Sequence, residues 1–285
     1  MSKVGLVIDS TTILSKEMIA KYKIEVVSLN IVFGEKTMPE VDTTEQFIID
    51  NLNQVKDIRS SSPSPYDFQV AYEKLLNEGY EEIIVVPLSK GVSGTYQTAV
   101  MAKDLIKGGE HVFVVDTDIC NFGVANLVET MLPFFDGKHT GQWLFDEFQK
   151  RAKDTRLLFT VTEIKHLIKS GRISRIAGTF AEILHIKPII KMIEGKLVVF
   201  EKTRSNQRMI EVFLEQIKEL VDTCAEVSVK IVSLQNTEML KIFAAKLKAT
   251  YANVKVSVIE HVNPVFLTHL GNNGFGISAT GYSLA

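Results

Sequence analysis

The chain has 285 residues, 46% of them hydrophobic and 23% charged. This is an ordinary globular balance with length for about two domains of ~150 residues each. Its formal charge of −2 lacks the basic excess of a nucleic-acid-binding domain. No apolar run approaches the ~20 residues that a membrane span requires, and the short run at residues 4–8 is broken by Asp9, so no signal peptide is expected. Cys120 and Cys224 form neither a disulfide framework nor a C-x-x-C pair, and the scattered histidines contain no H-E-x-x-H, so a cytoplasmic protein with reduced thiols and no metal is expected.

Residues 4–8 read as a buried strand opening into Asp9-Ser10-Thr11-Thr12, after which Ser15 caps a helix beginning near Glu17, Met18 and Ile19. Residues 83–88 and 112–115 are further apolar runs. Between them, residues 95–106 have helical spacing at Val100, Leu105 and Ile106, which predicts a strand–helix–strand unit in a parallel sheet. Residues 157–161 read as another strand and residues 163–169 as a helix stopped by Gly171. Residues 197–200 follow the Glu194-Gly195 turn as a short strand. A long amphipathic helix at 209–221, a strand at 227–234, a helix at 239–247 and a strand at 254–259 complete the pattern. The change of pattern near residue 155 predicts an N-terminal parallel-sheet α/β domain over residues 1–155 and a C-terminal α/β (α+β) domain over 156–285. No linker or internal repeat marks the boundary.

Between Lys165 and Arg208 there are ten Lys or Arg against Glu182, Glu194 and Glu201, a local balance of +7, which leaves −9 for the rest. Such a stretch is either a solvated face or a docking surface for an acidic partner or phosphate.

Ligands of open α/β sheets sit at the carboxyl ends of strands, where three polar loops fall. Asp9-Ser10-Thr11 is a turn and helix cap or a ligand loop. In residues 89–97, Ser93 starts a helix whose free N–H groups favour an anion, while Gly91 and Gly94 permit close backbone approach; a simple cap is the alternative. The segment matches neither a nucleophile elbow nor a P-loop. Ser60-Ser61-Ser62-Pro63-Ser64-Pro65 is a turn or a hydroxyl-rich lid, and His269 lies in a glycine-rich stretch suited to closing over a small ligand. Ser93, His269 and Asp9 supply the residue types of a hydrolytic triad, although no spacing supports one.

Taken together these pieces resemble the DegV family, bacterial fatty-acid-binding proteins also called FakB. The resemblance rests on Val7-Ile8-Asp9-Ser10-Thr11, Ser60-Ser61-Ser62-Pro63 where the family has T-S-Q-P, Ser93-Gly94-Thr95-Tyr96-Gln97 for S-G-T-Y, and residues 167–174 for L-x-x-G-G-R-I. Ile186-Lys187-Pro188-Ile189, Glu201-Lys202-Thr203-Arg204 and His269-Leu270-Gly271 follow in family order. It implies a tunnel between two domains holding one long-chain fatty acid, with no other cofactor and no catalytic residue of its own. The carboxylate would meet Ser60 or Ser61, Ser93 with Gly94, and His269, with Arg204 near the phosphate added by a separate fatty acid kinase. Arg172 and Lys169 would lie on the kinase-docking face, and the acyl phosphate would pass to phospholipid synthesis through a transient acyltransferase or membrane-surface contact. Serine replaces the family threonine at position 60, so a hydroxyl survives, and Ser170 replaces a glycine. Phe159, Ile164, Ile183, Leu184 and Phe275 are tunnel candidates that periodicity does not separate from core. A serine hydrolase or transferase built on Ser93, and a lipid-sensing regulator, are the alternative functions.

Overall fold

The computed structural model describes residues 3–52, 58–162, 164–173, 186–234 and 237–283. In chain order, the first half runs β1 (Val4–Asp9), α1 (Lys16–Tyr22), β2 (Glu25–Val27), β3 (Asn30–Phe33), β4 (Lys36–Pro39), α2 (Glu45–Asn51), β5 (Ile58–Ser61), α3 (Pro65–Asn77), β6 (Glu82–Val86), α4 (Thr95–Lys103), β7 (Val112–Val114), α5 (Phe122–Met131) and α6 (Gly141–Lys153). The second half runs β8 (Thr155–Val161), α7 (Lys165–Ser170), β9 (Lys187–Ile193), β10 (Lys196–Thr203), α8 (Asn206–Thr223), β11 (Glu226–Leu234), α9 (Thr237–Thr250), β12 (Val254–Ile259), α10 (Pro264–Leu270) and β13 (Gly274–Tyr282).

β2, β1, β6 and β7 form a parallel sheet in that order. Its central strands are apolar on both faces because both are covered. Leu6, Ile8, Ile84 and Val86 face the second domain, while Val7, Ile83 and Val85 face α3 and α4. The second domain is a six-stranded mixed sheet of order β10-β9-β8-β13-β11-β12. β8 alternates across it: Leu157, Phe159 and Val161 join the core shared with the first sheet, and Leu158 joins the core under α8 and α9. Between the two sheets, α5 is almost wholly buried. Asn126 pins it to the second sheet by donating to the Ser228 and Ser278 carbonyls at 2.9 and 3.1 Å and accepting from the Ser228 hydroxyl at 2.7 Å. A small antiparallel sheet, β4-β3-β5, flanks the first domain.

The expected strands and helices are present; one helix is shorter, the C-terminal glycine-rich stretch is mostly regular structure, and elements not read from the sequence are added, β9 among them. The helix expected over residues 95–106 ends at Lys103. Its buried face is Thr95, Ala99 and Ala102, small enough for α3 to approach and for the Tyr72 hydroxyl to donate to the Ala99 carbonyl at 2.9 Å, whereas Leu105 is 52% exposed. The glycine-rich stretch near the C-terminus is a loop only over residues 271–273: His269 lies in the last turn of α10, and Gly274 and Gly276 belong to β13, inside the second sheet. A Cβ at Gly276 would lie 2.8 Å from that of Phe159, so these glycines serve strand packing. β9 carries Pro188 and was not anticipated. Pairing with β8 covers only Ile189 to Lys191, so the missing N–H of Pro188 costs no ladder bond on that side. Among the described residues, no helix is long and apolar enough to cross a membrane, and no cluster of His, Cys, Asp or Glu could hold a metal.

Candidate functional site

Where the carboxyl ends of β1 and β6 meet β8 and α10, a narrow, partly open cavity runs between the two domains. Its walls are apolar, with Leu29, Leu88, Val92, Phe122, Phe159, Leu197 and Phe266 among them. Phe122 and Phe266 meet edge to face with ring centroids 6.0 Å apart. Cys120 also lines it, with burial pushing its thiol up to about 12, so the sulfur stays a neutral, apolar wall atom at physiological pH.

The polar groups gather at one end. β5 sends alternate side chains to opposite faces; Ser60 faces the cavity, where its Oγ lies 2.7 Å from His269 Nε2, and Ser61 turns to the other face. His269 projects from the last turn of α10. Burial, with the Arg172 charge nearby, lowers its imidazole to about 4, so it is neutral at pH 7. Its Nδ1 is buried without a hydrogen-bond partner, an unsatisfied group that a polar ligand could engage. Arg172 follows the left-handed Gly171 that ends α7, donates to the Ser170 carbonyl at 2.5 Å, and brings a cation to the same end.

Ser93 enters from the opposite wall. Its Oγ lies 2.9 Å from Thr95 Oγ1 and 3.2 Å from Ser62 Oγ, and accepts from Thr95 N at 3.3 Å, so the hydroxyl that faces the cavity also caps α4. Gly94 keeps α4 close to β5, since a Cβ there would sit 3.3 Å from Ser62 Oγ. Gly91 has a different role from the ligand contact expected for it. The β9–β10 hairpin tip reaches across from the second domain and puts the Gly195 carbonyl 2.2 Å from where a Gly91 Cβ would be, while Ser89 Oγ donates to that carbonyl at 2.9 Å. The triad of Ser93, His269 and Asp9 is not assembled. His269 pairs with Ser60, and Asp9 spends its oxygens on Thr11 N and Oγ1, at 2.9 and 2.5 Å, and on Leu88 N, at 2.7 Å, stitching β1 to β6.

Ser60, Arg172 and His269 also floor a second, polar pocket that contains Arg59, His166 and Lys169. The hydroxyl–imidazole pair therefore stands between an apolar cavity and a cationic one. Arg204 is not brought to this end. It lines a separate pocket with Lys187 and Asn206, on the α8 side of the second sheet. Phe275 lies on that side too, stacked on Phe213 with centroids 5.9 Å apart, while Phe159 lines the apolar cavity. Ile164 packs against the shared core; Ile183 and Leu184 lie outside the described residues. Arg59 and His166 were missed, and Ser62 was named only within the serine tract. Ser62 is readable once a strand is assigned, because alternation puts it with Ser60; no pattern signals the other two.

The model of the family described as "Uncharacterised protein, DegV family" matches residues 3–281. A DegV domain-containing protein of Halalkalibacterium halodurans is 29% identical over 280 residues, 98% of each chain. A solved structure of a hypothetical protein from Thermotoga maritima, said to reveal a fatty acid binding function, superposes with a TM-score of 0.82 at 25% identity, covering 99% of this chain and 100% of that one. Bacillus subtilis DegV, described as a fatty acid binding protein, shares the fold with a TM-score of 0.85 at 24% identity over 99% and 100% of the two chains.

Proposed function

The chain belongs to the DegV family, and on that premise we propose that it binds one long-chain fatty acid, tail in the apolar cavity and carboxylate at Ser60, Ser93 and His269, and presents that carboxylate to a separate kinase. The observation that carries the reading is the Ser60–His269 pair at the junction of an apolar and a cationic cavity, with His269 Nδ1 buried and unpartnered. The fatty-acid binding described for the Thermotoga maritima relative supports the ligand class.

The physical division of labour follows from the two cavities. Each buried CH₂ contributes ~0.8 kcal/mol, so a ~15-carbon tail supplies ~12 kcal/mol before association and ordering costs. The head group need only be satisfied, because an unpaired buried charge is costly. Neutral His269 and the two hydroxyls supply hydrogen bonds, and Arg172 supplies the countercharge. On the other side, Arg59, Lys169 and Arg172 form a cationic approach for a phosphoryl donor and an acidic kinase surface. The chain is then a carrier with no reaction of its own, and the acyl phosphate made on it is consumed by phospholipid synthesis. Arg204, on the α8 side, would contact the kinase rather than the phosphate.

Reconstitution with a bacterial fatty acid kinase, ATP and a long-chain fatty acid tests this directly. Turnover should depend on this chain and fall sharply in Ser93→Ala with the fold intact. Turnover unchanged by Ser93→Ala removes that serine from the site, and labelling of Ser93 by a fluorophosphonate would favour the hydrolase reading instead.

A further inference from the structure

Glu40, just beyond β4, is 2% exposed, and among the described residues no cation is hydrogen-bonded to it. One of its oxygens, Oε1, accepts from the backbone N–H of Val265 at 2.7 Å, and the other accepts from the Ser10 hydroxyl. Ser10 Oγ in turn accepts from Leu29 N at 2.9 Å, so the hydroxyl is held from both sides. Val265 is the second residue of α10, the helix that carries His269 in its last turn.

The residue that should cap α10 does something else. Asn263 stands at the N-cap, a position where asparagine normally accepts from the first turn, yet it makes no such bond. Its amide donates to the Ser10 carbonyl at 2.9 Å and accepts from Asn121 Nδ2 at 2.9 Å. Glu40 therefore supplies the cap from 225 positions away in the chain and from the other domain. α10 has only seven residues, and Val265, Phe266, His269 and Leu270 all line the apolar cavity. A shift at its first turn is carried to His269 about 6 Å further along.

We propose that Glu40 is a positioning residue for the head-group site: by capping α10 across the domain interface it holds His269 against Ser60 and so sets the affinity for the fatty acid carboxylate. This rests on the fatty-acid reading above. Ser10 is its partner in the same task, and the Asn263–Asn121 pair fixes the turn into the helix.

The test is a double-mutant cycle on palmitate affinity, measured calorimetrically at a temperature where circular dichroism shows each variant folded. Glu40→Ala should weaken binding about 10-fold, the scale of leaving the buried Val265 N–H without its acceptor, and Glu40→Gln, which keeps an acceptor for Val265, should recover most of it. In a His269→Gln background, Glu40→Ala should add less than about threefold, because its effect passes through His269. Equal loss in both backgrounds, or wild-type affinity in Glu40→Ala, overturns the proposal. Should Glu40→Ala fail to fold, Ser10→Ala takes its place in the cycle. If the wild type binds no palmitate, the fatty-acid reading fails, and ¹⁵N spectra of the ligand-free His269 ring then judge Glu40. One neutral tautomer in the wild type and averaging in the variant upholds the positioning role; identical spectra refute it.

Discussion

Two buried titratable groups at the two ends of α10, Glu40 at its first turn and His269 in its last, pull stability in opposite directions with pH. His269 falls from its ordinary 6.5 to about 4, so the unfolded chain binds its proton first as pH drops, and folding loses stability between 6.5 and 4. Glu40 rises from 4.5 to about 7, mainly because burial penalises its charge, with the hydrogen bonds from Ser10 and Val265 working against that rise. Its folded form holds a proton that the unfolded form has released, so stability falls as pH climbs from 4.5 to 7. Each slope is about 1.4 kcal/mol per pH unit, and between pH 4.5 and 6.5 they nearly cancel. His269→Gln keeps a polar group near Ser60 but cannot titrate. The stability difference between wild type and this variant should therefore grow in favour of the wild type by roughly 2–3 kcal/mol from pH 4.5 to 6.5. Urea denaturation of ligand-free protein at four pH values measures it. A difference independent of pH would show that the imidazole is not depressed, and the account of a buried, neutral His269 would be wrong.

Ser60→Ala should weaken fatty acid binding by about 1–3 kcal/mol through loss of a head-group hydrogen bond and of the His269 partner, while Ser61→Ala should bind as the wild type does; titration calorimetry separates them, and the reverse order would mean the register of β5 is off by one. Gly91→Ala should cost at least about 1–3 kcal/mol in chemical denaturation, because the Gly195 carbonyl occupies the place of the new Cβ. A neutral result there would mean that the hairpin tip does not rest on the 89–94 loop.

The parallel sheet was legible because strands buried on both faces write continuous apolar runs, as residues 4–8 and 83–88 do. The small sheet was not, because β5 is only Ile58-Arg59-Ser60-Ser61, too short and polar to show apolar alternation, and its strandedness comes from pairing with β3. The same blindness left Ser60 and Ser61 unresolved: the choice between them is a matter of strand phase, visible only after pairing. His269 stood out by its motif, but its helix did not, since α10 has seven residues and its cap comes from Glu40, far away in the chain. Glu40 itself, in Met38-Pro39-Glu40-Val41-Asp42, reads as a solvated charge and is instead among the most buried polar groups. The resemblance located Arg204 by order along the chain, and only the fold separates it from His269, by the thickness of a sheet.

Native mass spectrometry of the purified protein, followed by solvent extraction and identification of what is released, tests the central claim most directly, with long-chain fatty acids added if the protein arrives empty. The account predicts one fatty acid per chain, held more weakly in a protein carrying Ser60→Ala and His269→Gln together. A wild-type protein that takes up no fatty acid under saturating conditions, while remaining folded, would contradict it.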